Sequence, residues 1–148
     1  MSSTLTPSTF KVQIIEEQIV RNNVIKSEIT YSIPNVTNVD RRTLTCPNTT
    51  SIDILNLNGP NPGAGTFPSS SLKYARISNL DNTYSVAIIT SGSKGVYVQN
   101  IPPTSSIFIA SSQITGSGFN GTFGDNIIKI QAFAISGSVD LEYTIINS

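Results

Sequence analysis

The sequence predicts an all-β protein: an antiparallel β-sandwich or jelly roll of about eight to ten short strands. Isoleucine and valine together number 30 against seven leucines, and β-branched side chains suit a pleated, half-buried surface better than a helix. Turn signals recur roughly every 8 to 12 residues, the spacing of sandwiches and barrels. No stretch carries the 3.6-residue apolar period of an amphipathic helix. At 148 residues the chain is expected to form one domain, residues 10–148, behind an extended arm, residues 1–9, rich in Ser and Thr with Pro7.

From Phe10 the pattern is strand-like, with Phe10, Val12 and Ile14 sharing a face. The phase then shifts, setting Ile15 and Ile19 on the other face, which predicts a bulge or twist. Arg21-Asn22-Asn23 is a turn signal. Beyond it Ile25, Ser27, Ile29, Tyr31 and Ile33 alternate with Lys26, Glu28, Thr30 and Ser32, as in a strand with one solvated face. Residues 10–33 therefore read as a long antiparallel hairpin. It carries Lys11, Glu16, Glu17, Arg21, Lys26 and Glu28, a third of the chain's charges, and is expected to be the most exposed part.

Pro34-Asn35 breaks the pattern. Strands are expected over Val39 to Cys46 and Ile52 to Leu57. Gly59 to Pro68 holds three prolines and three glycines, which exclude regular structure, and Phe67 could plug a neighbour from its tip. Leu72 to Asn79 and Tyr84 to Thr90 flank Leu80-Asp81-Asn82-Thr83, which reads as a hairpin turn because Asp and Asn tolerate left-handed backbone. Ser91 to Gly95 turns into Val96 to Ile101, Pro102-Pro103 stops that strand, and Ser106 to Ala110 starts the next. A Gly/Ser loop runs from Ser111 to Gly124. Ile127 to Ile135 is nearly continuously apolar, as a central strand should be, and Val139, Leu141, Tyr143 and Ile145 alternate with polar residues in the last strand.

The chain has almost none of the side chains that perform chemistry. It contains no histidine, one cysteine and 12% charged residues, against roughly 25% in an ordinary globular domain. Ser, Thr and Asn fill 51 positions instead. Cys46 ends a strand and is expected to be a small buried hydrophobe; an activated thiol would need a neighbouring base or cation. No transition-metal site is expected without histidine, and the acids show no calcium-loop or two-metal spacing. Glu16 and Glu17 are adjacent in a strand, so they point to opposite faces and cannot form a glycosidase pair. Gly116 to Gly121 spells G-x-G-x-x-G, yet no helix follows to receive a pyrophosphate. Ser91 to Lys94 spells S-x-x-K, on a glycine-flanked turn rather than a helix. Three N-x-S/T sequons, at Asn35, Asn48 and Asn120, are what 14 asparagines would give by chance in a chain this rich in Ser and Thr. The expectation is a protein that is not an enzyme and takes no cofactor.

Nine basic and nine acidic residues cancel. That balance argues against nucleic-acid and membrane-surface partners. MSSTLTPSTF lacks the basic and apolar regions of a secretory signal, and the longest apolar run, Val86 to Ile89, is far below the roughly 20 residues of a membrane span. Near-neutral β-rich chains lose the repulsion that keeps copies apart, which makes sense if partners cover much of the surface. Two stretches are free of charge, Asp53 to Lys73 and Lys94 to Asp125. They hold isolated aromatics, Phe67, Tyr97, Phe108, Phe119 and Phe123. Interface cores are depleted of charge and enriched in aromatics, so these five are the candidate interaction residues; an aromatic platform for carbohydrate is the other possibility.

Residues 72–148 carry a further signal. Tyr74-Ala75-Arg76-Ile77-Ser78-Asn79 leads to Val86-Ala87-Ile88, Ile101-Pro102-Pro103, Ile107-Phe108-Ile109, Ile130-Gln131-Ala132-Phe133-Ala134 and Val139-Asp140-Leu141-Glu142-Tyr143. This resembles the C-terminal region of small virion structural proteins of tailed bacteriophages, in which an R-I-x-N strand, a proline-marked turn, an alanine-containing strand and a closing V-E-Y strand recur. The resemblance spans about half the chain. It implies a β-sandwich that acts as a capsid decoration or cement subunit, a homotrimer bound to major capsid or other virion proteins, assembled in the host cytoplasm. The alternative it leaves open is a fibre or tail-associated module for carbohydrate binding and host adhesion.

Overall fold

A computed structural model describes residues 8–36, 38–57, 66–67, 72–92, 95–110 and 127–147. It is all-β, and its contacts divide the chain into two compact units, Met1–Thr37 with Ser148, and Asn38–Asn147.

The first unit is a hairpin of β1 (Ser8–Val20) and β2 (Asn23–Val36). Its two-residue loop, Arg21 and Asn22, has φ of 50° and 66°, the left-handed pair that a type I′ turn needs to match the strand twist. Pairing runs without interruption from Phe10↔Ile33 to Val20↔Asn23. The bulge expected near Ile15 is therefore absent. The apolar phase shift instead distributes hydrophobic residues over both faces of a two-stranded ribbon, which has no core to hold one face in phase. Pro34-Asn35 does not end the pattern either. The one register irregularity falls opposite it, between Ser8 and Phe10, and Asn35 takes a φ of 57°. Proline without its N–H and a left-handed neighbour make a bulge, after which the strand resumes to Val36.

The second unit holds β3 (Asn38–Cys46), β4 (Ile52–Leu57), β5 (Thr66–Phe67), β6 (Leu72–Asn79), β7 (Val86–Gly92), β8 (Val96–Ile101), β9 (Ser106–Ala110), β10 (Ile127–Ala134) and β11 (Val139–Asn147). Two sheets form, of order β5-β4-β10-β7-β8 and β3-β11-β6-β9. They pack face to face as a β-sandwich, antiparallel except for the short β4–β5 pair. The chain crosses between sheets at β3–β4, β5–β6, β6–β7, β8–β9, β9–β10 and β10–β11. The strand that composition left out is β5. Thr66 and Phe67 sit between the prolines and glycines of their loop, and these two residues alone pair with Asn56 and Leu57.

Asp81-Asn82 also departs from its expected role. It is not a hairpin turn, since β6 and β7 belong to different sheets and neither residue is left-handed. The segment is a corner. Leu80 N–H donates to the Asp140 carbonyl at 2.9 Å, and the Asp81 carboxylate accepts from the backbone N–H groups of Thr83 and Tyr84, each at 2.6 Å. These bonds turn the chain out of one sheet toward the other.

The core joins both inner faces. Ile54, Leu55, Val86, Ile88, Ile101, Ile130, Ala132 and Ala134 meet Cys46, Ala75, Ile77, Val139, Leu141, Tyr143 and Ile145. Ile54 and Leu55 are consecutive yet both buried, which a period of two forbids. A register shift explains it: Ile130 pairs with Leu55 and Gln131 with Asp53, so Ile54 is the extra residue of a bulge.

Candidate interaction surface

Of the five candidate aromatics, the described side chains are those of Tyr97 and Phe108. Phe119 and Phe123 lie outside the described residues. The backbone of Phe67 pairs with Leu57; its side chain is outside the described part. Tyr97 and Phe108 are both exposed, on β8 and β9, the terminal strands of the two sheets. β8 and β9 follow one another through Pro102 to Ser105, so they edge the same side of the sandwich. They point differently, however. Tyr97 has the phase of buried Ile101, whereas Phe108 is out of phase with Ile107, which packs on the core.

The structure adds Val96 and Val98, 65% and 58% exposed on the outer face of β8. Val98 stands opposite Ile89 of β7, and the next residue pair along the same face is Ala87 with Asn100. Ala87 in turn neighbours Phe133 of β10. An apolar strip thus reaches inward from an uncharged terminal strand. Five of the six β8 residues are exposed. The sequence signal was available in Val96-Tyr97-Val98 within a charge-free stretch, but alternation alone could not tell a terminal strand from a central one.

Beside Phe108 the outer face of the other sheet is polar and internally paired. Phe108 stands opposite Arg76. Arg76 donates to the Glu142 carboxylate at 2.5 Å and to Ser78 Oγ at 2.7 Å, and Arg41 reaches the other Glu142 oxygen at 3.1 Å. Ser78 and Ser106 share a hydrogen bond of 2.7 Å. The hydrogen bonds from Arg76, and then from Arg41, hold the Glu142 carboxyl below the usual range.

Comparison with protein families, with curated proteins and with solved structures finds no match. The surface has to be judged on its own chemistry. Cys46 is fully buried and burial pushes its thiol up, away from the thiolate a nucleophile needs. Burial does the same to Tyr143, with Asp40 adding to it. Among the described residues no three His, Cys, Asp or Glu side chains converge on a metal position. A depression of about 170 Å³ on the hairpin is lined by Glu16, Glu17, Gln18, Ile25 and Ser27, and its two carboxylates belong to opposite strand faces. What the described surface offers is a low-charge terminal strand with exposed apolar side chains, chemistry suited to contact with another polypeptide.

Proposed function

We propose that the chain is a non-enzymatic structural subunit of a virion, a decoration or cement protein of a phage capsid that stabilises the head through surface complementarity. The observation that carries this is the β8 edge, where Val96 and Val98 are exposed on a terminal strand within a charge-free stretch. Exposed apolar side chains on a terminal strand are an association liability unless a partner covers them. The resemblance of residues 72–148 to phage virion proteins supplies the class of partner, the major capsid protein or its neighbours in the shell.

The test is co-sedimentation of the purified chain with capsids that lack it. Retention by capsids, weakened at least tenfold by Val98→Lys, is expected. A folded chain that fails to bind capsids would sink the proposal.

A second reading, a glycan-binding adhesion module, is favoured by Phe108 standing half-exposed opposite Arg76 in the Arg41–Glu142–Arg76 group. Aromatic faces flanked by charged hydrogen-bonding groups suit sugar rings. Glycan-array binding that is lost in Phe108→Ala would favour it over the capsid role.

A further inference from the structure

Four connections share one end of the sandwich. The strand registers place them there: Cys46 stands opposite Val139, Asn79 opposite Leu141, Val86 opposite both Ala134 and Ile101, and Ser78 opposite Ser106. Residues 47–51, 80–85, 102–105 and 135–138 are therefore neighbours, and hydrogen bonds brace them. Thr104 N–H donates to the Asp81 carbonyl at 3.0 Å, Ile135 N–H to the Ser85 carbonyl at 3.2 Å, and the Asn48 amide to the Ser136 carbonyl at 3.3 Å. Bracing of this kind fixes surface side chains before a partner arrives and lowers the ordering cost of contact.

One residue at this end is strained. Pro103 and Thr104 are the central pair of the turn that joins β8 to β9, and Thr104 has a φ of 56°. Proline first and a positive φ second describe a type II turn, in which glycine is the ordinary second occupant. A β-branched residue there is a genuine outlier. The other described non-glycine residues with positive φ are Arg21, Asn22 and Asn35, none of them β-branched. Thr104 is exposed, so packing inside the sandwich does not account for its side chain. Strain that the surroundings hold in place concentrates where a protein touches a ligand or partner.

Exposed apolar residues stand around it. Leu80 and Ile135 are 50% and 51% exposed and Tyr84 is 41% exposed, with the Tyr84 ring packed on Gly137. Charge narrows the partner. Asp81 is the one charged residue in the four connections, and its carboxylate is occupied by the backbone N–H groups of Thr83 and Tyr84. These segments offer no attraction to nucleic acid, anionic lipid or a charged sugar. A neutral sugar would stack on an open aromatic face, but Gly137 covers one face of the ring, and Leu80 and Ile135 are aliphatic. Aliphatic and aromatic side chains on rigid, uncharged turns match the apolar centre of a protein contact.

We infer that this end of the sandwich is a second contact surface, on which Leu80, Tyr84, Thr104 and Ile135 meet an uncharged apolar patch of the capsid protein. The inference rests on the reading of the chain as a capsid subunit and adds a surface to the β8 edge, which runs into this end at Pro102. Thr104 stands in a glycine conformation because its methyl and hydroxyl groups enter the contact.

The test pairs co-sedimentation with capsids that lack the chain and thermal unfolding of the free chain. Thr104→Gly is expected to raise the thermal midpoint by about 2 °C or more, since glycine takes positive φ without strain. The same variant is expected to weaken retention about fivefold. A purely structural role would not lose binding as stability rises. Leu80→Lys is expected to weaken retention roughly tenfold with an unchanged midpoint. Wild-type retention of either variant overturns the inference and leaves the capsid reading intact, as does a Thr104→Gly chain no more stable than wild type. Capsids that ignore the wild-type chain overturn both.

Discussion

Asn79 donates its side-chain amide to the Ile101 carbonyl at 3.2 Å from a fully enclosed position. The same nitrogen reaches the carbonyls of Tyr84 at 2.9 Å and Pro102 at 3.2 Å, and Oδ1 accepts from the Asp81 N–H at 2.9 Å. The backbone N–H of Asn79 also donates to the Ser105 carbonyl. The side chain thereby ties the β6–β7 corner to the end of β8, and the backbone of the same residue ties it to the segment that leads into β9.

Asn79→Ala should lower the unfolding free energy by roughly 2–4 kcal/mol, because buried carbonyls are left without a donor. Asn79→Asp should cost at least as much, since a carboxylate offers those carbonyls no donor. Urea denaturation of the full chain checks this; a loss below about 1 kcal/mol would refute the role.

Gly137 supports the ring of Tyr84 from below. A β-carbon at that position would stand 2.5 Å from Cε2 and 2.7 Å from Cδ2 of the ring. Gly137→Ala should therefore destabilise by about 1 kcal/mol or more through overpacking. The penalty should largely vanish in a Tyr84→Ala background, where the ring is gone. A double-mutant cycle without coupling would falsify the contact.

The depressed carboxyls predict the acid limb of stability. Hydrogen bonds from Arg76 and Arg41 lower the Glu142 titration, and backbone N–H groups of Tyr84 and Thr83 lower that of Asp81. Each folded-state value lies below its unfolded value. The stability they contribute is therefore complete above the unfolded range and is lost as pH falls through the depressed folded one. Glu142→Gln should flatten the decline in thermal midpoint below pH ~4. Carboxyl NMR titration should find both groups still ionised where an exposed acid is half protonated.

Cys46 should resist thiol reagents until the sandwich opens. Its modification under native conditions is expected to run at least roughly a thousandfold slower than that of a free thiol, and to accelerate in step with unfolding in urea. Rapid labelling of the native chain would contradict its enclosure.

The strands were legible because isoleucine and valine alternate with Ser, Thr and charged residues, and because Pro102-Pro103 and the glycine turns punctuate them. Sheet membership was less legible. Asp81-Asn82 has hairpin composition, but its destination depends on Asn79, Asp140 and Ser105, far apart in sequence. Ile54-Leu55 disguised a bulge as a continuous apolar run. At the surface, the charge-free stretch pointed to Tyr97 and Phe108 through their aromaticity. It passed over Val96 and Val98, whose exposure follows from β8 lying last in its sheet, a fact of tertiary order that no local pattern encodes. In the hairpin, six charged residues marked exposure.

The Arg41–Glu142–Arg76 group has a consequence beyond the sheet that holds it. Glu142 offsets one of its two arginines and leaves one positive charge, Lys129 pairs with Asp53 and Arg42 with Asp40, and over the whole chain nine basic residues balance nine acidic ones. Little field extends past the surface, so nothing guides an incoming partner from a distance. Encounters are then governed by diffusion and short-range fit, and the rate at which this protein finds its neighbours should be nearly indifferent to the salt around it.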